Sequence, residues 1–479
     1  MINRFIRGCQ VAAANTMSRG ARVRRVSAAL AVVGSLVACS GLKDNLLEAT
    51  DPDLINPGDL ETPDGATAVR NGALFRFRAM TAGTATSGSE GTWLLGGLLA
   101  DEWSTTSTFQ ENDQVDKRDV DASNGSVLNS FRNTNRVRTA ANQAIPALKK
   151  YFPNAKADIA EMYFIRGFAE LQLAADFCNG IPLSDASNPT IELGDPQTVA
   201  DVFATAIASF DAALAEVQGA TDDASVAMRH AANIGKARAL LGINRPADAA
   251  GAVAGIPTAY TYDVSFATSS GDNAIWSQNF SQNRYAVGAN PEGNTANFPV
   301  GGATAFFQAK DPRVPADFIT SGTTRTLSQD GQTFARVTTL WGRSTNVAIV
   351  NGIDARLVEA EAAVKSNPAQ MLTILNALRA SPPRLGTVQP SALAALTDPG
   401  TEAGRVDLLF REKAMWTFGR GQRLGDLRRL IRQYGRTADQ VFPTGQHYKG
   451  GQYGSAVNLP VPSDEENNPS FIGCIDRNA

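Results

Sequence analysis

The sequence predicts a mainly α-helical protein in which pairs of short helices form a scaffold that carries a loop-rich insert. Apolar residues recur at three- and four-residue steps over most of the chain, which is the spacing of amphipathic helices. Between residues 258 and 350 this period disappears, and Gly, Asn, Ser and Thr with isolated aromatic residues replace it. With 479 residues and 43% apolar content, the chain has ample material for a buried core.

Two pairs of short helices flank the insert. The first pair is predicted over residues 226–241 and 246–253, and the second over 352–365 and 368–380. Their helix–turn–helix arrangement resembles tetratricopeptide repeats, although no strict repeat period recurs. Loops and short strands are predicted for the insert, and functional residues concentrate on loops that a rigid scaffold holds.

The other helices are predicted from apolar stripes that face inward. They begin after residue 64 and cover residues 93–103, 129–151, 158–178 and 198–217. The last of them opens with a capping box formed by Thr198 and Asp201. We treat residues 64–479 as one interlaced domain.

The N-terminal residues 1–38 are predicted to be a lipoprotein signal peptide. Four arginines precede an apolar run over residues 26–38, which is shorter than the roughly 20 residues that span a bilayer. The run ends in Leu36-Val37-Ala38-Cys39, the lipobox pattern of bacterial lipoproteins. We therefore expect lipidation at Cys39, and an ordinary signal peptide with an incidental cysteine is the alternative. The segment from Met17 to Ala38 is 22 residues long, a usual length, so translation is expected to start at Met17 rather than Met1.

Residues 39–63 are polar and contain three spaced prolines, which is typical of an extended tether. The first 38 residues hold six arginines and no acid, so their removal leaves 38 basic and 47 acidic residues. The resulting net charge near −9 argues against a nucleic-acid partner, because binding to phosphates needs a basic surface.

The sequence offers little catalytic chemistry, so we predict a protein that is not an enzyme and needs no cofactor or metal. Nucleophile-elbow, zinc-protease and P-loop motifs are absent. His230 and His447 are interpreted as structural or surface histidines, and Glu359 and Glu361 as part of a solvated helix face. Residues 105–126 carry four aspartates without the ligand order of a calcium loop, so they are predicted to be a solvated loop.

The segment from Arg405 to Arg429 reads as an amphipathic helix, a glycine turn and a basic segment. Pattern alone favours a core helix, a turn and a solvated helix. Its residue order, however, resembles the SusD/RagB family of nutrient-uptake outer-membrane lipoproteins. The resemblance rests on Arg411-Glu412, Gly421-Gln422-Arg423 and Asp426-Leu427-Arg428-Arg429, followed by Leu459-Pro460-Val461-Pro462 and Asn468-Pro469.

The resemblance implies a SusD-like fold and a surface-exposed, lipid-anchored binding subunit of the outer membrane. Such a subunit binds a glycan or an oligopeptide and delivers it to a SusC-like TonB-dependent transporter, and it catalyses no reaction. A periplasmic helical-repeat adaptor that binds only proteins is the alternative. A lipid-anchored hydrolase would need a catalytic constellation that the sequence does not show.

The insert carries the residue types that bind sugars. An exposed aromatic ring covers the apolar face of a sugar, while amide and guanidinium groups bond its hydroxyls. The competing interpretation is that the aromatic residues form the insert's own core. The candidate ligand-binding residues are Trp276, Asn283, Arg284, Tyr285, Trp341 and Arg343.

A disulfide is predicted between Cys178 and Cys474. Once Cys9 is removed with the signal peptide and Cys39 is acylated, these two cysteines are the only ones left. The lipobox places them outside the cytoplasm, where paired thiols oxidise and persist. Such a bond would hold the C-terminal tail, because chain ends are loose unless they are tied down.

Overall fold

The computed structural model describes residues 61–83, 90–188, 190–289 and 306–479. The predicted signal peptide, Cys39 and nearly all of the tether lie outside these residues. The described part of the chain is mainly α-helical with short two-stranded sheets, which confirms the predicted fold class. None of the helices described is long and apolar enough to cross a membrane.

The helices that precede the insert begin with side-chain caps at several positions that the sequence indicates. Thr62 accepts a hydrogen bond from Gly65, and Thr198 and Asp201 form the predicted capping box. These helices are α1 (Pro63–Thr81), α2 (Thr92–Leu99), α3 (Gln110–Asp116), α4 (Gly125–Tyr151), α5 (Lys156–Asp176), α6 (Val199–Glu216), α7 (Asp223–Gly242) and α8 (Pro246–Val253).

The described part of the insert contains two short helices, and longer helices resume after it. The insert's helices are α9 (Ala274–Trp276), which continues into a π turn over Ser277–Ser281, and α10 (Phe306–Ala309). The later helices are α11 (Gly352–Ser366), α12 (Pro368–Ala380), α13 (Glu402–Trp416), α14 (Arg423–Tyr434) and α15 (Ala438–Val441). The two predicted helix pairs are thus α7 with α8 and α11 with α12.

The strands are short, and all of their pairings are antiparallel. They are β1 (Trp103–Thr105), β2 (Ile181–Pro182), β3 (Pro196–Gln197), β4 (Thr261–Val264), β5 (Tyr285–Val287), β6 (Ala316–Phe318), β7 (Thr320–Ser321), β8 (Thr324–Arg325), β9 (Arg336–Thr338) and β10 (Val347–Asn351). The pairs are β1–β5, β2–β3, β4–β10, β6–β9 and β7–β8. Because β4 and β10 pair, the insert leaves and rejoins the scaffold at one place.

The helices form a continuous stack. Some of the helices that pack together follow one another in the sequence, and others are separated by further elements. Helix α4 packs on α1 and α5, α5 packs on α6, and α8 packs on α11 across the base of the insert. A cluster of phenylalanine rings fills the centre, with ring centres of Phe77 and Phe168 5.4 Å apart and those of Phe164 and Phe210 5.9 Å apart. Edge and tilted ring contacts of this kind stabilise a core beyond the area that they bury.

The C-terminal block differs from the pattern-based interpretation, because α14 is buried rather than solvated. Glu361 on α11 is 1% exposed and lies at the centre of an ion cluster. It accepts hydrogen bonds from Lys413 at 2.8 Å, from Tyr434 at 2.8 Å and from Arg429, and Lys413 also donates to Asp426 at 2.8 Å. The prediction of a solvated face was therefore wrong for Glu361, because basic side chains of α13 and α14 pack against it.

Residues 105–126 were also predicted to be a solvated loop, and the structure corrects this. They contain helix α3, and Asp116 at its end is 2% exposed. Its carboxylate accepts hydrogen bonds from the Thr105 amide at 2.8 Å and from the Tyr448 hydroxyl at 2.7 Å. The buried Asp116 therefore connects the N-terminal and C-terminal parts of the chain through these hydrogen bonds.

The predicted disulfide between Cys178 and Cys474 is present in the structure. The tail around it lies close against the turn after α5. At Gly180, which has φ of +113°, a Cβ atom would lie 2.4 Å from the carbonyl oxygen of Gly473. Asn179 also donates to Asp476 at 3.0 Å, so the C-terminal tail is held by polar contacts as well as by the covalent bond.

Candidate functional site

A cavity of about 690 Å³ opens where the two ends of the insert meet the scaffold. Its walls come from the segment around β4, the loop that leads into β10, the loop after α12, and the turn between α13 and α14. The volume lies within the range of small-molecule binding sites. The residues that line it most openly are Ala259, Thr261, Asp263, Ser344, Asn346 and Arg384.

Aromatic rings form the inner wall of this cavity. Trp341 stacks on Phe418 with ring centres 6.3 Å apart and planes at 21°. The glycine turn permits this contact, because a Cβ atom on Gly419 would lie 2.5 Å from the Trp341 ring. Trp341 is 7% exposed, so only a small part of its ring is open to the cavity.

The floor of the cavity contains two arginines whose charges are compensated. Arg313 is 2% exposed and donates to Glu412 at 2.7 Å and to Asp311 at 2.7 Å, with its guanidinium 4.8 Å from the ring centre of Trp416. Glu412 also accepts a hydrogen bond from Arg379 at 2.6 Å. Glu412, part of the sequence motif at 411–429, therefore orients an arginine beneath the cavity.

Arg420 is the second of the two arginines in the cavity floor. Its guanidinium donates hydrogen bonds both to a carboxylate and to the backbone. It donates to the carboxylate of Asp354 at 2.6 Å and 3.1 Å and to the carbonyl of Ala348 at 2.9 Å. Although burial raises the pKa of Asp354, the adjacent Arg420 lowers it below its usual value. The pair is therefore ionised, and it connects β10 to the turn between α13 and α14.

The predicted residue Trp276 lies outside this cavity, in a separate aromatic stack. Its half-buried ring lies 6.0 Å from that of Phe280, with planes at 18°, and Phe280 is 45% exposed. Asn273, just before α9, donates to the carbonyl of Thr345 at 2.8 Å. The stack is thus connected to the loop that lines the cavity.

The expectation of an exposed ring is wrong for Tyr285. This residue is 1% exposed, and its hydroxyl donates to Glu90 and accepts from Asn112 at 3.2 Å. Its position in β5, which pairs with β1, turns the ring into the core. Tyr285 therefore presents no face to a ligand, and the core interpretation holds for it.

The remaining predicted residues are distributed over the insert's surface. Arg284 is half-buried, with its guanidinium 4.8 Å from the ring centre of Phe109, and Arg343 is exposed and pairs with Asp272 at 2.9 Å. Asn283 has a positive φ of 51°, and its backbone carbonyl accepts from Thr106 at 2.9 Å. The structure thus brings Trp341 to the cavity and leaves Trp276, Asn283, Arg284 and Arg343 outside its lining.

Several lining residues were not identified from the sequence. Asp263 and Arg384 face the cavity from opposite sides of the insert's base. Arg384 follows a Ser-Pro-Pro run just after the second helix pair, and Asp263 follows Tyr262 in a segment without a helical period. The pairing of β4 with β10 would have indicated Asp263, but that pairing has no local sequence signal, and Arg384 lies beyond the insert in the loop after α12.

The described residues contain no group of three or more His, Cys, Asp or Glu side chains placed to hold a metal ion. His447 is 1% exposed, and its Nε2 lies 3.4 Å from Asp116. It belongs to the buried junction around Asp116 and is remote from the cavity lining.

No protein-family model matches this chain. No curated protein matches it either. Solved structures do match it across most of its length. A SusD-like protein from Bacteroides fragilis is similar with a TM-score of 0.62 and 14% sequence identity, over 88% of this chain and 98% of that one.

Two further structures are similar over nearly their whole length. A SusD-like carbohydrate-binding protein from Bacteroides fragilis aligns with a TM-score of 0.59 and 13% identity, over 86% of this chain and 99% of that one. The surface glycan-binding protein A from Bacteroides uniformis aligns with a TM-score of 0.58 and 14% identity, over 86% and 99%. The fold that the C-terminal motifs indicate is therefore confirmed: this chain has the SusD-like fold.

Proposed function

We propose that this protein is a lipid-anchored glycan-binding subunit of a nutrient-uptake system and that the Trp341 cavity is its binding site. The observation that carries the proposal is the cavity itself, which combines an aromatic wall with exposed hydroxyl and amide groups. A sugar presents apolar C–H groups and a rim of hydroxyls, and the lining offers the accessible parts of its aromatic rings to the first and polar groups to the second. Similar solved structures described as carbohydrate-binding or glycan-binding proteins support the proposal.

The chemistry of the lining supports binding rather than hydrolysis. Glycoside hydrolysis ordinarily needs two carboxyl groups on opposite sides of the scissile bond. Asp263 is the one carboxylate among the described residues that line the cavity. Glu412 and Asp311, which lie behind the floor, are engaged by Arg313. We therefore propose that the protein releases its ligand unchanged.

The membrane anchor and the partner extend this proposal. Lipidation at Cys39 would place the domain on the outer membrane, and the residues that follow would act as a tether. The partner would be a SusC-like TonB-dependent transporter that receives the glycan at the cell surface. Cys39→Ser should abolish incorporation of labelled palmitate, and a labelled variant would contradict the anchor.

Blocking the cavity tests the proposed site. Ala259 is exposed at the cavity, so Ala259→Trp should fill the entrance without disturbing the core and should reduce glycan affinity by at least about tenfold. Asn346→Ala, which removes an exposed amide, should weaken binding by about 1 kcal/mol. Isothermal titration calorimetry against polysaccharides selected by affinity electrophoresis measures both effects.

Matched controls exist on exposed positions away from the cavity. Ala254→Trp adds the same ring at the end of α8, and Asn154→Ala removes the same amide between α4 and α5. Both should leave affinity and melting temperature unchanged. If Ala259→Trp binds glycan as tightly as the unmodified protein, the ligand binds outside the cavity. If the unmodified protein binds no glycan, the proposed function is wrong.

A further inference from the structure

We infer that the cavity selects uncharged glycans over glycans that carry carboxylate or sulfate groups. This inference rests on the proposed function, and it concerns the charge class of the ligand. Recognition of an anionic sugar requires a cationic side chain with N–H groups free to point at the ligand. The cationic residues of the lining are Arg313, Arg384 and Arg420.

The two floor arginines direct most of their N–H groups at acceptors of the protein itself. Arg313 directs three of its nitrogens at two carboxylates, at distances from 2.7 to 3.2 Å. Arg420 directs its nitrogens at one carboxylate and two backbone carbonyls. Because both arginines are at most 5% exposed, a ligand carboxylate would have to compete with a buried protein carboxylate and deprive that group of its arginine.

Arg384 is the third cationic residue of the lining, and Asp263 places a negative charge at the same cavity. Arg384 is exposed and donates to the carbonyl of Thr387 at 2.7 Å. Asp263, which is also exposed, lines the cavity from the β4 side and is free to repel an anion. The accessible charges of the lining thus sum to about zero, and the net charge near −9 of residues 39–479 disfavours the approach of a polyanion at longer range.

The groups that remain available for a ligand are uncharged. The side chains of Thr258, Ser344 and Asn346 face the cavity and make no side-chain hydrogen bond to another described residue. Hydroxyl and amide groups both donate and accept, which suits sugar hydroxyls, whereas a carboxylate or sulfate only accepts. The lining therefore favours hydroxyl-rich, neutral sugar units.

A matched pair of polymers tests the inference with the mature protein. Polygalacturonate and its fully methyl-esterified form share a backbone and differ in charge, and a panel of neutral and sulfated polysaccharides extends the comparison. We expect binding only among the neutral polymers and loss of that binding in Ala259→Trp. The dissociation constant should change by less than about twofold between about 50 and about 500 mM NaCl, because salt screens only charged partners.

The outcomes separate this inference from the proposed function. An acidic polymer that binds, loses affinity in high salt and loses it in Arg384→Ala would overturn the charge selectivity and leave glycan binding intact. Absence of binding to every polymer of either class would overturn the proposed function and the inference with it. If a neutral polymer binds and Ala259→Trp does not reduce its affinity, the binding site is not the cavity, and the inference that depends on the cavity is overturned.

Discussion

The C-terminal block at residues 405–429 and the insert at residues 258–350 use polar side chains in opposite ways. In the block, charged side chains lie in the interior, where Lys413 and Arg429 are 4% and 6% exposed and meet carboxylates. In the insert, Arg313 is a buried charge that pairs with Glu412 of the block, but polar groups such as Ser344 and Asn346 are exposed at the cavity. The block therefore fixes the relative positions of helices, whereas the insert offers groups to a ligand.

This difference explains why one region carries a recognisable sequence motif. Each buried charge in the block needs a partner of opposite charge at a defined position, since an unpaired buried ion is strongly unfavourable. Residue order is therefore constrained at Glu412, Lys413, Asp426 and Arg429. A loop that exposes hydroxyls and amides to water has no such constraint, because water satisfies these groups wherever they lie in the loop.

Breaking the central carboxylate of the block should have the largest effect on stability. Glu361→Ala leaves Lys413 and Arg429 with Asp426 as the one carboxylate for two buried cations, which should lower the free energy of unfolding by about 3–5 kcal/mol. Chemical denaturation of the two proteins measures the difference. Glu359→Ala is the matched control on the same helix, because Glu359 is half-buried and its ion pair within the described residues is with Arg356. Equal losses in the two variants would contradict a central role for Glu361.

The scaffold was predictable because its signals are local. The helical periods and the helix–turn–helix arrangement identified both helix pairs to within a few residues of their observed bounds. Residues 93–103 show the limit of this approach: the apolar run is a helix only to Leu99 and then becomes β1, which pairs with a strand of the insert. Long-range pairing of that kind leaves no pattern in the run itself.

The candidate site was predictable only in part, for the same reason. Trp341 was identified by residue type, and it lines the cavity. Tyr285 has the same residue type, but its place in β5 buries it. The exposure of an aromatic ring depends on which strand lies next to it, and the sequence of the insert does not specify that neighbour.

The buried acids of the scaffold should make its stability depend on pH. Glu102 is fully buried, and burial raises its pKa to about 8 although the Gly419 amide donates to it at 2.8 Å. The unfolded carboxyl ionises near 4.5, so the folded state binds a proton that the unfolded state has lost. This contribution to stability is complete below the unfolded pKa and is lost as pH rises towards about 8.

Glu102→Gln removes this titration and keeps the shape of the side chain. Its stability relative to the unmodified protein should therefore rise by about 1.4 kcal/mol for each pH unit between about 5 and 8. Denaturation at several pH values measures this slope. The contributions of the other buried acids to the pH dependence cancel in the difference, because both proteins contain those acids. A difference that stays constant with pH would show that Glu102 is ionised in the folded protein.

The smallest expected effect concerns the exposed aromatic stack, and it tests which insert rings contact a ligand. Phe280→Ala removes a 45% exposed ring from Trp276, so the free energy of unfolding should fall by less than about 1 kcal/mol. If the stack covers a sugar face beside the cavity, the same change should weaken glycan binding by about 0.5–1.5 kcal/mol.

Tyr285→Phe is the buried counterpart: it removes a hydroxyl between Glu90 and Asn112, so stability should fall by about 1–3 kcal/mol while affinity stays unchanged. Calorimetric titration and thermal unfolding of both variants separate the two roles, and unchanged affinity in Phe280→Ala would assign the stack to packing of the insert alone.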